Sequence, residues 1–463
     1  MTQIRERLNE LGILTLPLLV EHAFITLMGM VNTAMVSTLG EEALAAAGHI
    51  NNASMIPVSL FAAMTTGGTI LVAQAVGARN EKKAAFSGGQ AVAMAAVFSV
   101  LLSIVLTFLQ GPINTWLFLG SDPLMMEAGF VYFGYIVWSL PFLAVAQTLF
   151  GVMRGAGDVK SPMKISLFMN VVNIILSYVL IVGIVLPFAG LETASLGMHG
   201  AGLAIALARA AGMLYAIWVI LSKKSPVRLN KISLFKPTTD IIKDICTLGI
   251  PTSIEQVLFQ AGRMTALMFI VGMGTSVMAA NVVGMNIMGF VMIPGNALTI
   301  SIMVMIGQRV GRGDLDDIPK MTMFATGVAI VFMALMSVIM LPMAGLMVNI
   351  FSLDSESAVY FHQIYLSLVI SGPIFWPLAF IIPAALRAVK DVNFTMTVAL
   401  LNMAIFRVGL GYFLGVFLGF GVMGVWLGIY SEWAVRSLMF AIRLRRRKWM
   451  KRLLKDEEIP QNA

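Results

Sequence analysis

Three carboxylates, Glu21, Glu255 and Glu432, stand inside long apolar runs of a 463-residue chain that is 59% hydrophobic and only 12% charged. A carboxylate in hydrocarbon costs at least about 2.5–3.5 kcal/mol at the centre of a helix, so one that is kept there has a use. Burial favours the neutral form of a carboxyl, which then takes and releases a proton near neutral pH, while the ionised form coordinates a sodium ion. Glu21 and Glu255 are therefore the expected ion- or proton-coupling residues. Each follows a proline by four positions, Pro17 and Pro251, and a glutamate bonded to a carbonyl freed by that proline is the competing structural reading. Both lie about ten residues into their runs, about 15 Å deep and near mid-bilayer. Glu432 and Arg436, four apart with the acid first, are expected to pair within one helix.

Polar stripes continue from these acids. Residues 21, 25, 28 and 32 share one helical face, which places Asn32 on the side of Glu21. Thr252, Gln256, Gln260 and Arg263 form a comparable stripe beside Glu255, and Asn52, Asn173 and Asn286 are polar positions in other apolar runs. Asn32, Asn52, Asn173, Gln256, Gln260 and Asn286 are expected to line a substrate cavity, with interhelical hydrogen-bond seams as the alternative. The single cysteine, Cys246, and four scattered histidines offer no metal-ligand spacing, so no metal and no cofactor beyond Na+ or H+ as coupling ion is expected. No apolar run holds a catalytic dyad or metal motif, which argues against an intramembrane enzyme.

The elements that must position these residues are membrane spans. Runs of about 20 apolar residues fall near 12–38, 44–76, 86–109, 124–150, 161–186 and 197–222. Six more fall near 245–271, 277–308, 320–346, 358–386, 393–418 and 421–443. The fold class is an all-α polytopic membrane protein of twelve transmembrane helices, since barrel strands need only about 9–11 alternating residues. Mean hydropathy of +0.89 agrees. The first run is too long for a cleaved signal peptide and is read as a retained span.

The two sets of six are a duplication. At a constant offset of 234, Pro17, Glu21, Gly40, Asn52, Gln74 and Gly77 recur as Pro251, Glu255, Gly274, Asn286, Gln308 and Gly311. A second motif, residues 153–163, returns at 386–396, pairing Arg154 with Arg387 and Asp158 with Asp391. These four are read as structural turn residues, capping helices and holding helix ends together. Six spans per half make the repeats parallel. Residues 1–222 form an N-terminal lobe, 223–243 a linker, 244–445 a C-terminal lobe and 446–463 a basic tail.

Lysines and arginines occupy alternate loops: Arg5 and Arg7, Arg79 to Lys83, Arg154 to Lys164, the linker, Arg309 to Lys320, Arg387 to Lys390 and the tail. Both termini are thus expected in the cytoplasm of a cell whose inner membrane holds the chain. The net charge of +8 is explained by that sorting, and no nucleic-acid partner is expected. Arg445, Lys448 and Trp449 in the tail suit contact with anionic lipid.

The paired Pro-to-Glu starts, the runs 39–48 and 74–80 and the turn 154–162 resemble the multidrug and toxic compound extrusion (MATE) family over nearly all of residues 10–445. The resemblance implies two six-helix lobes forming a V-shaped cleft, and a secondary exporter of amphipathic organic cations driven by inward Na+ or H+; the exporter is expected to be a monomer. Where the family has an acid after Val31 this chain has Asn32, and where an acid often follows four residues after Asn173 it has Ser177. Coupling is thereby left to Glu21 or to the C-terminal lobe. The alternative is a flippase for lipid-linked saccharides, for which Arg209, Arg263 and Arg407 would meet a pyrophosphate.

Overall fold

A computed structural model describes residues 2–183, 185–186, 191–192, 195–222, 229, 237–450 and 453. Most of the linker 223–243 and most of the tail 446–463 therefore lie outside the described residues. Helices dominate because a chain this apolar, away from water, must satisfy its backbone N–H and C=O groups within each segment. In order they are α1 (Thr2–Ser37), α2 (Glu41–Gly77), α3 (Glu81–Phe108), α4 (Gln110–Leu117), α5 (Pro123–Gly155), α6 (Lys160–Ser177) and α7 (Gly197–Leu221). The second half supplies α8 (Thr239–Val271), α9 (Thr275–Val291), α10 (Ile293–Arg312), α11 (Ile318–Met340), α12 (Ala344–Ile350), α13 (Ser355–Ala388), α14 (Val392–Asn402) and α15 (Gly421–Arg445). A two-residue antiparallel pairing, β1 (Val185–Leu186) with β2 (Leu191–Glu192), joins α6 to α7.

Ten helical segments among the described residues are long and apolar enough to cross a membrane, and α9 with α10, bent by 46° at Met292, makes eleven. α15, which carries the charges of Glu432 and Arg436, is not among them, where twelve spans are expected. The protein is thus a multi-pass membrane protein built on two repeats. The eighth span is expected as one helix at 277–308; Pro294, just past the break, lacks an N–H and starts a new helix instead. Two short helices are not foreseen by hydropathy, α4 and α12, and they begin at repeat-related residues, Gln110 and Ala344.

Local chemistry sets the ends. Gly40 and Gly274 open α2 and α9 at φ of +109° and +112°, a region that residues with a Cβ rarely enter, which is why both repeats carry glycine there. Asp354 caps α13 by accepting from the Ser357 backbone N–H at 3.1 Å. Bonds from the Ser357 hydroxyl and N–H hold its carboxyl below the usual carboxylate range. Three segments among the described residues are π-helical: Tyr178–Val182 continues α6, Met403–Leu410 continues α14, and Phe413–Phe417 follows it.

The chain divides into two compact units. One unit comprises Val20–Val76 and Asn80–Ser253; the other comprises Met1–Leu19, Gly77–Arg79 and Ile254–Ala463. α1 and α8 thus each change unit two residues after their proline, at positions that match between the repeats. In the first unit α5 is central, packed on α3 and α7, with Tyr132, Ile136 and Leu149 buried. In the second, α13 is central, packed on α9, α10, α11 and α15.

Close approach of α10 to α13 depends on Gly295, where an added Cβ would lie 2.1 Å from the Trp376 ring. That ring is buried and stacks on Phe380 at 4.6 Å. Gly295→Ala is expected to cost about 1–3 kcal/mol through overpacking. A lowered Tm of the solubilised protein checks this, and an unchanged Tm would contradict it.

Candidate functional site

The sequence reading treats the embedded glutamates and the turn arginines as separate groups. The structure joins them. In the first unit, Arg154 Nη2 donates to both carboxylate oxygens of Glu21, at 2.7 and 2.8 Å. In the second, Arg387 Nη1 lies 3.4 Å from Glu255 Oε2, and Arg436 Nη2 donates to Glu255 Oε1 at 3.0 Å. Glu21 and Glu255 are 4% and 7% exposed, so these are buried pairs. The first helix of each repeat supplies the acid, and the central helix of each unit supplies the base. Breaking such a pair costs more than its formation yields, because the stranded charge has no water to turn to.

The expected mid-bilayer depth of the two glutamates is corrected. Arg154 and Arg387 are the next-to-last residues of α5 and α13. The carboxylates therefore sit within one arginine side chain of the basic-loop ends of those helices. Counting residues along one helix gives depth only when neighbouring helices end at the same level, and α1 begins ten residues before its apolar run.

Glu255 opens a longer chain of charges in the second unit. Arg436 is shared between Glu255 and Glu432, whose Oε1 lies 3.5 Å from Arg436 Nη1; the expected pairing four residues apart is present. Arg407, on the π-helical stretch, reaches Glu432 Oε2 at 2.6 Å. Glu432 is fully buried. Aromatic faces solvate the cations: Arg436 lies 4.9 Å from the Phe380 ring centre, and Arg407 lies 4.6 Å from that of Phe259.

The remaining turn residues serve distinct ends. Asp158 Oδ1 accepts from Ser161 N at 3.0 Å and caps α6. Asp391 is buried and receives Arg443 Nε at 2.7 Å, tying the end of α15 to the second turn.

The candidate cavity residues divide between the two units, Asn32, Asn52 and Asn173 in the first and Gln256, Gln260 and Asn286 in the second. Asn32 and Ser177 meet, with the Ser177 hydroxyl donating to Asn32 Oδ1 at 3.4 Å. Asn173, one turn before Ser177, has its Nδ2 buried with no partner among the described residues. Where the resemblance would place acids, this chain thus has a neutral cluster. Gln256 is exposed and Gln260 half-buried on α8. Asn52 is exposed on α2, and Asn286, also exposed, donates to the Val282 carbonyl at 3.0 Å within its own helix.

The glutamate-arginine pairing is missed because the two repeat motifs are read one at a time. Glu21 with Glu255 and Arg154 with Arg387 recur at offsets that differ by one residue. Opposite charges retained together in both halves of an apolar chain are the signal.

The MatE family model matches residues 17–179 and 251–413, one match per repeat. An uncharacterized transporter, YisQ, of Bacillus subtilis is 26% identical over 444 residues, covering 95% of this chain and 94% of the relative. A probable multidrug resistance protein, NorM, of Thermotoga maritima is 23% identical, covering 98% and 96%. Among solved structures, a mutant of the Vibrio cholerae MATE transporter VcmN superposes with a TM-score of 0.87 at 18% identity, covering 98% of this chain and 99% of that one. With the family match running through both repeats and through the helices that carry both glutamate-arginine pairs, this chain belongs to the MatE family of transporters.

Proposed function

We propose that this protein is a secondary active exporter of amphipathic organic cations. It works as a monomer in the cell inner membrane with both termini cytoplasmic, and inward movement of H+ or Na+ drives it by alternating access. The observation that carries the reading is the repeated pair, Glu21 with Arg154 and Glu255 with Arg387. A carboxylate that exchanges its arginine for an ion is a switch: the ion and the guanidinium compete for the same oxygens. Because the arginines stand at the basic-loop, cytoplasmic ends of α5 and α13, their return to the carboxylate expels the ion on that side. The free energy of that exchange is what reorients the protein. Cargo binding is opposed to ion binding through the same two conformations, so a ligand shifts them only as far as its affinities differ.

Purified protein in proteoliposomes, given a fluorescent cationic dye and either a pH or a Na+ gradient, tests this. Accumulation of dye against its gradient under one of the two ion gradients, and none without, is expected. Equal dye movement with and without both gradients would overturn the reading.

A further inference from the structure

The two repeats pack differently at one pair of positions. In the first unit α8 and α2 touch backbone to backbone: an added Cβ on Gly249 would come within 2.2 Å of the Ala63 carbonyl oxygen, and one on Gly67 within 2.8 Å of that of Ile245. At offset 234, Gly249 and Gly67 correspond to Thr15 of α1 and Ser301 of α10 in the second unit. There the Thr15 hydroxyl donates to Ser301 Oγ at 3.0 Å, and the Ser301 hydroxyl donates to the Ala297 carbonyl at 3.0 Å. Glycines let helix axes approach closely, and two hydroxyl side chains in their place hold α1 off α10.

A cavity of about 180 Å³ opens beside that pair, lined by Leu8, Gly12 and Leu16 of α1, Leu298 of α10, and Val328 and Phe332 of α11. A Cβ added at Gly12 would have nothing within 4 Å. Both hydroxyls are committed to each other and to the backbone, so the walls are apolar. An apolar cavity of about 150 Å³ stays dry and takes a benzene-sized hydrocarbon. The lining on α1 runs from Leu8 to Leu19, about 16 Å at 1.5 Å per residue, which is the depth of one leaflet of a hydrocarbon core about 30 Å thick. Leu8, Leu16 and Phe332 are 47%, 65% and 48% exposed, so the cavity is a groove open along its side. Its end toward the basic loops is charged. Arg5 precedes Leu8 by one turn on the stripe 5, 8, 12, 16 and 19, whose 3,4,4,3 spacing keeps to one face of α1. Arg7 pairs with Asp317, the residue before α11, which ties the starts of the two helices together, and Lys320 lies in the first turn of α11. Arg7, Arg309, Glu10 and Asp317 neutralise one another at this junction. Arg5 and Lys320 are exposed and have no ion-pair partner among the described residues.

We infer that this groove holds one acyl chain of an anionic phospholipid, with the headgroup between Arg5 and Lys320. A dry slot one leaflet deep, with two uncompensated cations at the level where headgroups lie, matches an anionic lipid in both length and charge. The acyl chain supplies in the second unit the contact that the glycines make directly in the first, and seats the first half of α1 on α10 and α11. The inference stands apart from the exporter reading, since it concerns what the protein retains from the bilayer.

The test is native mass spectrometry of the full protein in detergent, titrated with phosphatidylglycerol and with phosphatidylcholine of the same chains. The wild type is expected to bind its first phosphatidylglycerol roughly tenfold more tightly than its first phosphatidylcholine. Gly12→Phe fills the groove and is expected to remove that tight first site without lowering Tm, because the new side chain enters open space. Leu16→Trp, at an exposed position on the groove wall, is expected to do the same and stands in if Gly12→Phe does not fold. Arg5→Gln combined with Lys320→Gln is expected to erase the preference between the two lipids. Equal affinity for both lipids in the wild type would overturn the inference, and so would a preference that survives the charge variant. A tight first site that persists in Gly12→Phe and Leu16→Trp would place the lipid elsewhere, as on the basic tail, and overturn it. Displacement of phosphatidylglycerol by a cationic dye whose own binding is lost in Gly12→Phe would make the groove a cargo site and likewise overturn it.

Discussion

Replacing Arg436 by methionine is expected to destabilise the protein by about 3–5 kcal/mol, the cost of removing one partner from a buried ion pair. Methionine fills much of the same volume, so the loss comes from charge rather than from a cavity. Arg436 is 2% exposed and serves two acids, Glu255 at 3.0 Å and Glu432 at 3.5 Å. Removing it leaves Glu255 with the longer Arg387 contact alone, and Glu432 with Arg407 alone. Thermal unfolding of the solubilised protein reads the effect. Glu432→Gln and Arg436→Met combined are expected to cost less than the sum of the two separately, by about 0.5–3 kcal/mol, because both disturb one network. Strict additivity would show that the contacts carry no shared energy.

Glu255→Gln is expected to reduce drug export from cells by about 5- to 150-fold at normal protein level, the range of an ordinary coupling free energy. Glutamine keeps the size of the side chain and still accepts a hydrogen bond from Arg387 and Arg436. It cannot hold a proton or neutralise a cation in their place, so the exchange that turns the protein over is lost. Glu21→Gln is expected to have the smaller effect. Glu21 has one arginine, whereas Glu255 is the head of the chain that ends at Arg407. Resistance of cells to cationic dyes, measured with the amount of protein in the membrane, checks both. Full resistance in both variants would remove these residues from the transport cycle.

The architecture is legible in the sequence because the membrane imposes it. Twelve apolar runs, six to a half, translate into helices almost one for one, and Pro17, Glu21, Gly40 and Asn52 disclose the duplication by recurring in register. What hydropathy misses is whatever does not depend on apolar content. α4 and α12 are short and lie between spans. The break at Met292 follows from one proline and is one of several prolines in spans, most of which leave their helices continuous: α13 runs unbroken through Pro373, Pro377 and Pro383.

For the site, residue type is legible and partnership is not. Glu21 and Glu255 announce themselves by their cost in hydrocarbon, but Arg154 and Arg387 sit in basic loops, where positive charge already has an explanation. Their second role requires knowing that α5 and α13 end beside the acids, which is a matter of packing between distant segments. The same holds for Glu432: its pairing with Arg436 follows from spacing, whereas its shorter bond to Arg407, from another helix, does not.

The most direct test of ion exchange at the arginine-held glutamates is transport by the Glu21→Gln/Glu255→Gln double variant, reconstituted at the same density as the wild type. Two rates are compared in the same proteoliposomes: exchange of labelled for unlabelled dye without any gradient, and dye accumulation driven by an imposed pH or Na+ gradient. The account predicts that exchange persists while driven accumulation disappears. Driven accumulation at the wild-type rate in the double variant would contradict it and leave both pairs as structural ties between helix ends.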